Sequence, residues 1–121
     1  MPYSLDEGHS SESDILCRLD DIENPGGVVI PPSPLTPPGG LVIIRHGAMV
    51  RAFENRCPHF GVGLDAETGS LLFDWEAKHL KCRNHYARFA IDDGSCHSID
   101  CDEAPLTPFP IRVERGAIFP A

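Results

Sequence analysis

The sequence has few basic residues and no long apolar segment. Ten Lys and Arg stand against eighteen Asp and Glu, which gives a formal net charge of −8. This balance opposes binding to nucleic acid and favours a partner with a basic surface. No run of about 18 apolar residues is present, and no positively charged leader precedes an apolar segment. These absences predict a soluble, cytoplasmic protein that has neither a nucleic-acid partner nor a membrane partner.

The chain is long enough for one domain with a modest core, since it has 121 residues of which 41% are hydrophobic. Residues 1–14 are polar and acidic and are expected to form a mobile tail. Residues 15–121 are expected to form the single domain. Within it, residues 31–40 are rich in proline, which cannot donate a hydrogen bond to a sheet. This stretch therefore predicts a stiff surface loop.

The remaining pattern is typical of short strands separated by turns. Strands are predicted at residues 15–22, 28–30, 41–45, 49–54, 78–82, 88–91, 111–114 and 117–119. Turns between them are marked by His46-Gly47, by Asp92-Asp93-Gly94 and by Arg115-Gly116. Only residues 71–79, around Trp75, are expected to form a short helix. The pattern predicts an all-β fold of short antiparallel strands in stacked sheets.

Two short motifs contain most of the chemical information. Cys57 and His59 form a Cys-x-His motif, and Cys82 and His85 form a Cys-x-x-His motif. Each motif offers one thiolate and one imidazole. A Rieske 2Fe-2S centre needs two such pairs, because two Cys hold one iron and two His hold the other. The four residues are therefore candidate ligands of one metal centre.

The residues around these motifs strengthen the comparison. The segment CPHFGVGL at residues 57–64 resembles the first ligand box of Rieske-type ferredoxins, and CRNHYARF at residues 82–89 resembles the second. The resemblance covers roughly residues 40–120. It implies a Rieske-like domain whose small cluster-binding subdomain holds a Rieske 2Fe-2S cluster through the two Cys and the two His. It also implies an electron carrier rather than an enzyme, placed between a flavin-dependent reductase and a terminal oxygenase.

Zinc is the main alternative, because two Cys and two His also form tetrahedral structural zinc sites. In zinc fingers Cys pairs with Cys at a turn and His pairs with His on a helix, whereas both motifs here mix the two residue types. The spacing therefore favours the iron–sulfur centre. The other functions considered are a redox sensor, a small subunit of a larger redox complex and a zinc-stabilised interaction module.

The resemblance also predicts the reduction potential. High-potential members of the family carry an additional Cys in each box, and hydroxyl groups that donate hydrogen bonds to sulfur. The corresponding positions here are Val62, Asn84, Ala87 and Phe89. Without these donors the reduced, more negative centre is less stabilised. Its potential should therefore lie near the low end of the Rieske range, about −150 mV.

Three cysteines lie outside the two motifs: Cys17, Cys96 and Cys101. Cys96 and Cys101 are close enough in sequence to form a disulfide, but a reducing compartment favours free thiols. All three are therefore interpreted as reduced thiols with no assigned role.

Overall fold

The computed structural model describes residues 14–58, 61–83, 87–97 and 104–121, which form short antiparallel strands and almost no helix. The strands are β1 (Cys17–Arg18), β2 (Gly26–Ile30), β3 (Leu41–His46), β4 (Met49–Glu54), β5 (Leu72–Asp74), β6 (His79–Lys81), β7 (Arg88–Ala90), β8 (Ile111–Glu114) and β9 (Ala117–Pro120). They form three three-stranded sheets, with the orders β1-β9-β8, β2-β3-β4 and β5-β6-β7. A 3-10 turn spans Leu19–Asp21. None of the helical turns in these ranges has the length and apolar character needed to span a bilayer.

The sheet β2-β3-β4 lies at the centre of the fold because both of its faces are buried. Its middle strand begins with residues 41–44, whose four apolar side chains are completely buried. Successive side chains of a strand point to opposite faces, so a strand between two packed layers is apolar throughout. Val42 and Ile44 enter one core cluster, whereas Ile43 enters a second cluster with Ile118.

The sheet β1-β9-β8 supplies Ile118 to the second core cluster, next to Ile22 and Ala52. Its hairpin β8-β9 turns through Arg115 and Gly116, which have φ values of 52° and 78°. Two consecutive positive φ values are what the preferred two-residue hairpin turn requires. The turn predicted at Arg115-Gly116 is therefore confirmed.

The sheet β5-β6-β7, which we call the third sheet, packs on the other face of the central sheet. Leu80 and Phe89 are opposite each other in its register, and both are completely buried. Phe73 lies close to Gly27 of β2, because a Cβ added to Gly27 would lie 2.7 Å from the Phe73 Cζ. Trp75 stacks on Phe73 with ring centroids 4.2 Å apart. These aromatic contacts fix the third sheet against the central one.

Most of the predicted strands are confirmed, with ends that differ by one or two residues. The segment predicted as a strand at residues 15–22 forms only two residues of strand before the 3-10 turn. Residues 31–40 contain no strand, as their proline content predicts. The predicted tail lies outside the described residues except for Asp14, and the single domain over residues 15–121 stays a prediction.

The expected helix at residues 71–79 is wrong, because this segment enters a β-hairpin. Strand β5 pairs with β6 in register from Leu72↔Lys81 to Asp74↔His79. In the connection, the Asp74 carboxylate accepts a hydrogen bond from the Ala77 N–H at 3.1 Å. Lys78 follows with a φ of 59°, a left-handed conformation that does not continue a helix. Cross-strand pairing therefore overrides the local helical preference.

Gly94 offers a test of how tightly the core is packed. It has a φ of 79°, and a Cβ there would lie 2.7 Å from Phe53 Cε1 and 3.1 Å from Leu106 Cβ. Gly94→Ala should lower the free energy of unfolding by about 2–4 kcal/mol, because backbone strain adds to overpacking. Gly69→Ala is the matched control, since Gly69 has a φ of 78° and no neighbouring atom within 4 Å. The control should lose only about 1–2 kcal/mol. Equal losses in urea unfolding would contradict this account.

Candidate metal centre

Both motif cysteines are buried close to the ends of strands. Cys57 lies three residues after β4, and Cys82 directly follows β6. Both side chains are 0% exposed, and neither cysteine is disulfide-bonded. They belong to one core cluster, which also contains Leu64, Ala87 and Phe89. The fold thus brings the two predicted thiolate ligands from distant parts of the chain into one apolar environment.

Each cysteine begins a loop, and the two loops close in the same way. We call residues 57–64 the first loop and residues 82–87 the second loop. The Cys57 N–H donates to the carbonyl of Val62 at 2.6 Å, and the Cys82 N–H donates to the carbonyl of Ala87 at 2.9 Å. In both cases the acceptor lies five residues after the donor.

In sequence, each predicted histidine ligand lies between the donor and the acceptor of one of these two hydrogen bonds. His59 lies between Cys57 and Val62, and His85 lies between Cys82 and Ala87. Both histidines are outside the described residues, so their role as ligands stays a prediction. The structure therefore brings together the thiol half of the predicted ligand set.

Arg83 joins the two loops to each other. Its backbone N–H donates to the carbonyl of Leu64 at 2.9 Å. Its side-chain Nε donates to the carbonyl of Ser70 at 2.8 Å, in the chain that leads from the first loop to the second. Leu64 is completely buried, so water is kept from the backbone contact. The second loop is thereby held against the first by one backbone bond and one side chain.

A buried polar pair that the sequence pattern did not reveal lies beside the first loop. Asn55 and Asp65 are 7% and 6% exposed, and they are the buried polar side chains among the described residues. The Asn55 Oδ1 accepts from the Leu64 N–H at 2.7 Å, and its Nδ2 donates to the Asp65 Oδ1 at 3.2 Å. The available signal was their position at the two ends of an apolar ligand box, where buried polar groups need partners.

The outer face of the third sheet carries a pair of histidines. The Nε2 of His79 and the Nδ1 of His97 are 2.9 Å apart, so one nitrogen donates a hydrogen bond to the other. The Nε2 of His97 also lies 3.1 Å from the Ser95 Oγ. The Nδ1 of His79 is shielded from solvent and has no hydrogen-bond partner among the described residues. Protonating both rings would place two positive charges in contact, which electrostatic repulsion opposes.

The expectation that Cys96 is a reduced thiol is wrong, because Cys96 is disulfide-bonded. Its partner lies outside the described residues, as does Cys101. Cys96 forms a β-bridge with Phe89, which holds its backbone in place. The expectation of a reduced thiol was based on cellular redox conditions and did not consider this local structure. Cys17, by contrast, is free. Burial raises the pKa of its thiol to about 11, and the nearby Asp21 carboxylate adds to the shift.

The comparison with known families agrees with this geometry. The sequence profile of the Rieske [2Fe-2S] domain matches residues 15–110. The chain belongs to this family. A Rieske-type 2Fe-2S cluster is therefore its cofactor, and the two buried cysteines, which form no disulfide, fit the cysteine-bound iron of such a cluster. No curated protein sequence matches the chain at a significant level.

Solved Rieske structures share the fold. The ferredoxin of carbazole 1,9a-dioxygenase from Nocardioides aromaticivorans IC177 has a TM-score of 0.71 at 21% identity, covering 88% of this chain and 94% of that one. The Sphingomonas yanoikuyae B1 ferredoxin has a TM-score of 0.69 at 19% identity, with coverage of 88% and 94%. A quaternary ammonium Rieske monooxygenase has a TM-score of 0.63 at 23% identity, covering 88% of this chain and 30% of that one.

The positions that set the potential in the Rieske family carry no hydroxyl donor where the structure describes them. Ala87 and Phe89 are buried in the same core cluster as the two cysteines. Val62 is 41% exposed and has no sulfur that could form a disulfide. Asn84 lies outside the described residues. Apolar side chains beside the thiolates cannot donate hydrogen bonds to a reduced cluster, which favours a low potential.

Ala87→Ser should raise the reduction potential, because a hydroxyl group beside the cluster would donate to sulfur and stabilise the reduced form. Voltammetry should give about −150 mV for the unchanged protein and a higher value for the variant. Ala90→Ser is the matched control, since Ala90 is also buried but lies on the opposite face of β7 from Phe89. A potential near about +300 mV for the unchanged protein, or equal potentials for the two variants, would contradict this account.

The histidine pair makes stability depend on pH. Burial lowers the pKa of His79, the charges of His97, Arg88 and Lys81 lower it further, and Asp74 opposes the shift. Below the usual histidine pKa of about 6.5, the folded protein therefore binds fewer protons than the unfolded chain. The free energy of unfolding should stay level with respect to this group above that pH and fall as the pH drops below it.

Urea unfolding between about pH 8 and pH 5 measures this effect. His79→Gln should weaken the acid dependence. His46→Gln should leave it in place, because the contact between His79 and His97 is kept. Parallel curves for H79Q and the unchanged protein would show that the pair does not cause the acid dependence.

Proposed function

We propose that this Rieske protein is a one-electron carrier that takes electrons from a flavin-dependent reductase and delivers them to a terminal oxygenase. The observation that carries the proposal is the burial of Cys57 and Cys82 in one apolar core cluster, each at the start of a loop that closes with the same backbone hydrogen bond. The fold similarity over nearly the whole length of two ferredoxins supports it. One of those two is the ferredoxin of carbazole 1,9a-dioxygenase.

In this proposal Cys57 and Cys82 bind one iron, and His59 and His85 bind the other. Two buried thiolates without a metal would be unpaired charges in an apolar environment, which is costly. A diferric core with two bridging sulfides is positively charged, so the two thiolates neutralise it and neutral imidazoles leave the sum unchanged. The ligand set therefore matches the apolar surroundings of the two cysteines.

The protein keeps the cysteine side of this site dry and rigid. When bound, the cluster supplies a centre that accepts and releases one electron. Leu64, Leu80 and Phe89 are completely buried in the core cluster of the two cysteines and exclude water from them. The hydrogen bonds that close and join the loops fix the backbone at Cys57 and Cys82. A preorganised site of this kind needs little rearrangement during electron transfer.

The net charges near the two loops differ in sign. Lys81, Arg83 and Arg88 lie close to the second loop in sequence, whereas Glu54, Asp65 and Glu67 outnumber Arg56 close to the first. The net charge of −8 attracts a basic partner surface at long range. We propose that the partners also present acidic groups opposite the second loop, so that one docked orientation pairs the most charges.

We also propose that the carrier works in the cytoplasm. Cys17, Cys57 and Cys82 form no disulfide, which is what a reducing compartment favours. The disulfide at Cys96 is an observation that opposes this location, since disulfides are rare in cytoplasmic proteins. Cell fractionation followed by immunodetection tests the proposal.

The purified protein should contain about two iron atoms and two acid-labile sulfides per chain. Cys57→Ser should prevent cluster binding. Cys17→Ser is the matched control and should bind the cluster normally, because Cys17 packs against the other core cluster. His85→Cys should lower the potential of any cluster it retains, since an anionic ligand replaces a neutral one. One zinc per chain and no sulfide would contradict the proposed cofactor site.

The carrier role is measured with a flavin-dependent reductase and a Rieske oxygenase from the same cell. Turnover of the oxygenase should require the loaded protein in catalytic amounts, with C17S active and C57S inactive. A fully loaded protein that accepts electrons from the reductase but reduces no oxygenase would contradict the proposed role.

A further inference from the structure

We propose that Asn55 and Asp65 are positioning residues for the cluster, because their buried hydrogen bond sets the spacing of the first and second loops. The inference rests on the proposed function, since it concerns the same centre. Neither residue belongs to the Cys-x-His or Cys-x-x-His motif. Each residue acts on the ligands through the backbone of the loops that contain them.

Asn55 ties the end of the first loop to the strand that precedes it. The residue directly follows β4 and lies two positions before Cys57. Its backbone N–H donates to the carbonyl of Gly40 at 3.0 Å, which anchors it to the chain entering β3. Its side-chain Oδ1 accepts from the Leu64 N–H at 2.7 Å. One side chain therefore connects the residues on both sides of the loop that begins with Cys57.

Leu64 passes this constraint to the second loop. Its N–H is bound by the Asn55 Oδ1, and its carbonyl accepts the backbone N–H of Arg83 at 2.9 Å. Arg83 directly follows Cys82. Since Leu64 is 0% exposed, water cannot easily replace either partner. A displacement of the Asn55 amide would therefore move Leu64 and, through it, the residue next to Cys82.

Asp65 orients the Asn55 amide and completes a ring of contacts. Its Oδ1 accepts from the Asn55 Nδ2 at 3.2 Å, and its Oδ2 accepts from the Gly69 N–H at 2.9 Å. The next residue, Ser70, accepts the Arg83 Nε at 2.8 Å. The ring returns to Asn55 through the backbone of Arg83 and Leu64. The two buried bonds of the ring, from Asn55 to Asp65 and from Leu64 to Asn55, reinforce one another in a low-dielectric environment.

The backbone of the first loop packs closely against the pair. A Cβ on Gly63, in the first loop, would lie 2.9 Å from the Asp65 Oδ1 and 3.4 Å from the Asn55 Nδ2. The backbone of the loop therefore rests directly on the two side chains. A change in the polarity of either side chain should therefore act on the backbone of the loop, which it contacts at Gly63.

A reversal of polarity tests the pair with little change in side-chain size. In Asn55→Asp two carboxylates face each other, and in Asp65→Asn an additional amide donor meets either the Asn55 Nδ2 or the Gly69 N–H. The double variant N55D/D65N restores the contacts. The carboxylate at position 55 accepts from the Leu64 N–H and from the amide at position 65, whose carbonyl oxygen accepts from the Gly69 N–H.

Cluster-loaded proteins are compared by the rate of iron loss to a chelator, by the EPR line shape of the reduced state and by the reduction potential. Each single variant should lose iron about tenfold faster and give a broader EPR signal, and the double variant should return to within about twofold of the unchanged protein. A pure charge effect would instead move the potential in opposite directions in the two single variants, without changing the line shape or the rate of iron loss.

Asn24→Asp is the matched control. The Asn24 side chain also binds one backbone N–H and one backbone carbonyl, both of Gly47, at 2.8 and 3.2 Å. Gly47 lies at the opposite end of β4 from the first loop. This variant should lower thermal stability without changing the EPR line shape or the rate of iron loss.

The inference is overturned if the loaded single variants keep the unchanged line shape and rate of iron loss, or if the double variant does not recover them. If the single variants do not fold, recovery by the double variant supports the inference, and failure of the double variant overturns it. An unchanged protein without iron would contradict the proposed function, which distinguishes the two failures.

Discussion

The first and second loops begin near the ends of strands in different sheets, and the hydrogen bond from the Arg83 N–H to the Leu64 carbonyl joins them. A cluster bound by both loops needs its ligands at a fixed separation, so the relative position of the two sheets becomes part of the metal site. The contact of Phe73 with Gly27 fixes the third sheet against the central sheet. The hydrogen bond between Arg83 and Leu64 fixes the second loop against the first.

The surroundings of the two cysteines determine which chemistry the site favours. Because the thiols lie in an apolar core cluster, a cofactor that neutralises two thiolates is much less costly to bury than the thiolates alone. Reduction adds a negative charge to this environment, and Ala87 and Phe89 offer no side-chain donor to stabilise it. The same burial that protects the centre from water thus favours its oxidised state, which predicts a potential at the low end of the Rieske range.

The features that were predictable from the sequence are those that depend on local pattern. The apolar run at residues 41–44 and the turn at Arg115-Gly116 determine their structure within a few residues. The motif cysteines were identified by residue type and spacing. The β5-β6 hairpin was not predicted, because its conformation depends on pairing and on packing against the central sheet.

Contacts between distant segments account for the features that the sequence did not reveal. Asn55 and Asp65 are ten residues apart, and their position beside the apolar ligand box does not by itself show that the two side chains contact each other. The pair of His79 and His97 depends on the register of β6 and β7 and on the segment after β7.

The central claim is that one centre combines two buried cysteine ligands with the imidazoles of His59 and His85. Electron–nuclear double resonance on the reduced protein, with histidine labelled by nitrogen-15, tests it most directly. The account predicts strong hyperfine couplings from two imidazole nitrogens, which persist in His79→Gln and His97→Gln and change when either His59 or His85 is replaced. A reduced cluster without strongly coupled nitrogen would contradict the account, because its irons would then be bound by other ligands.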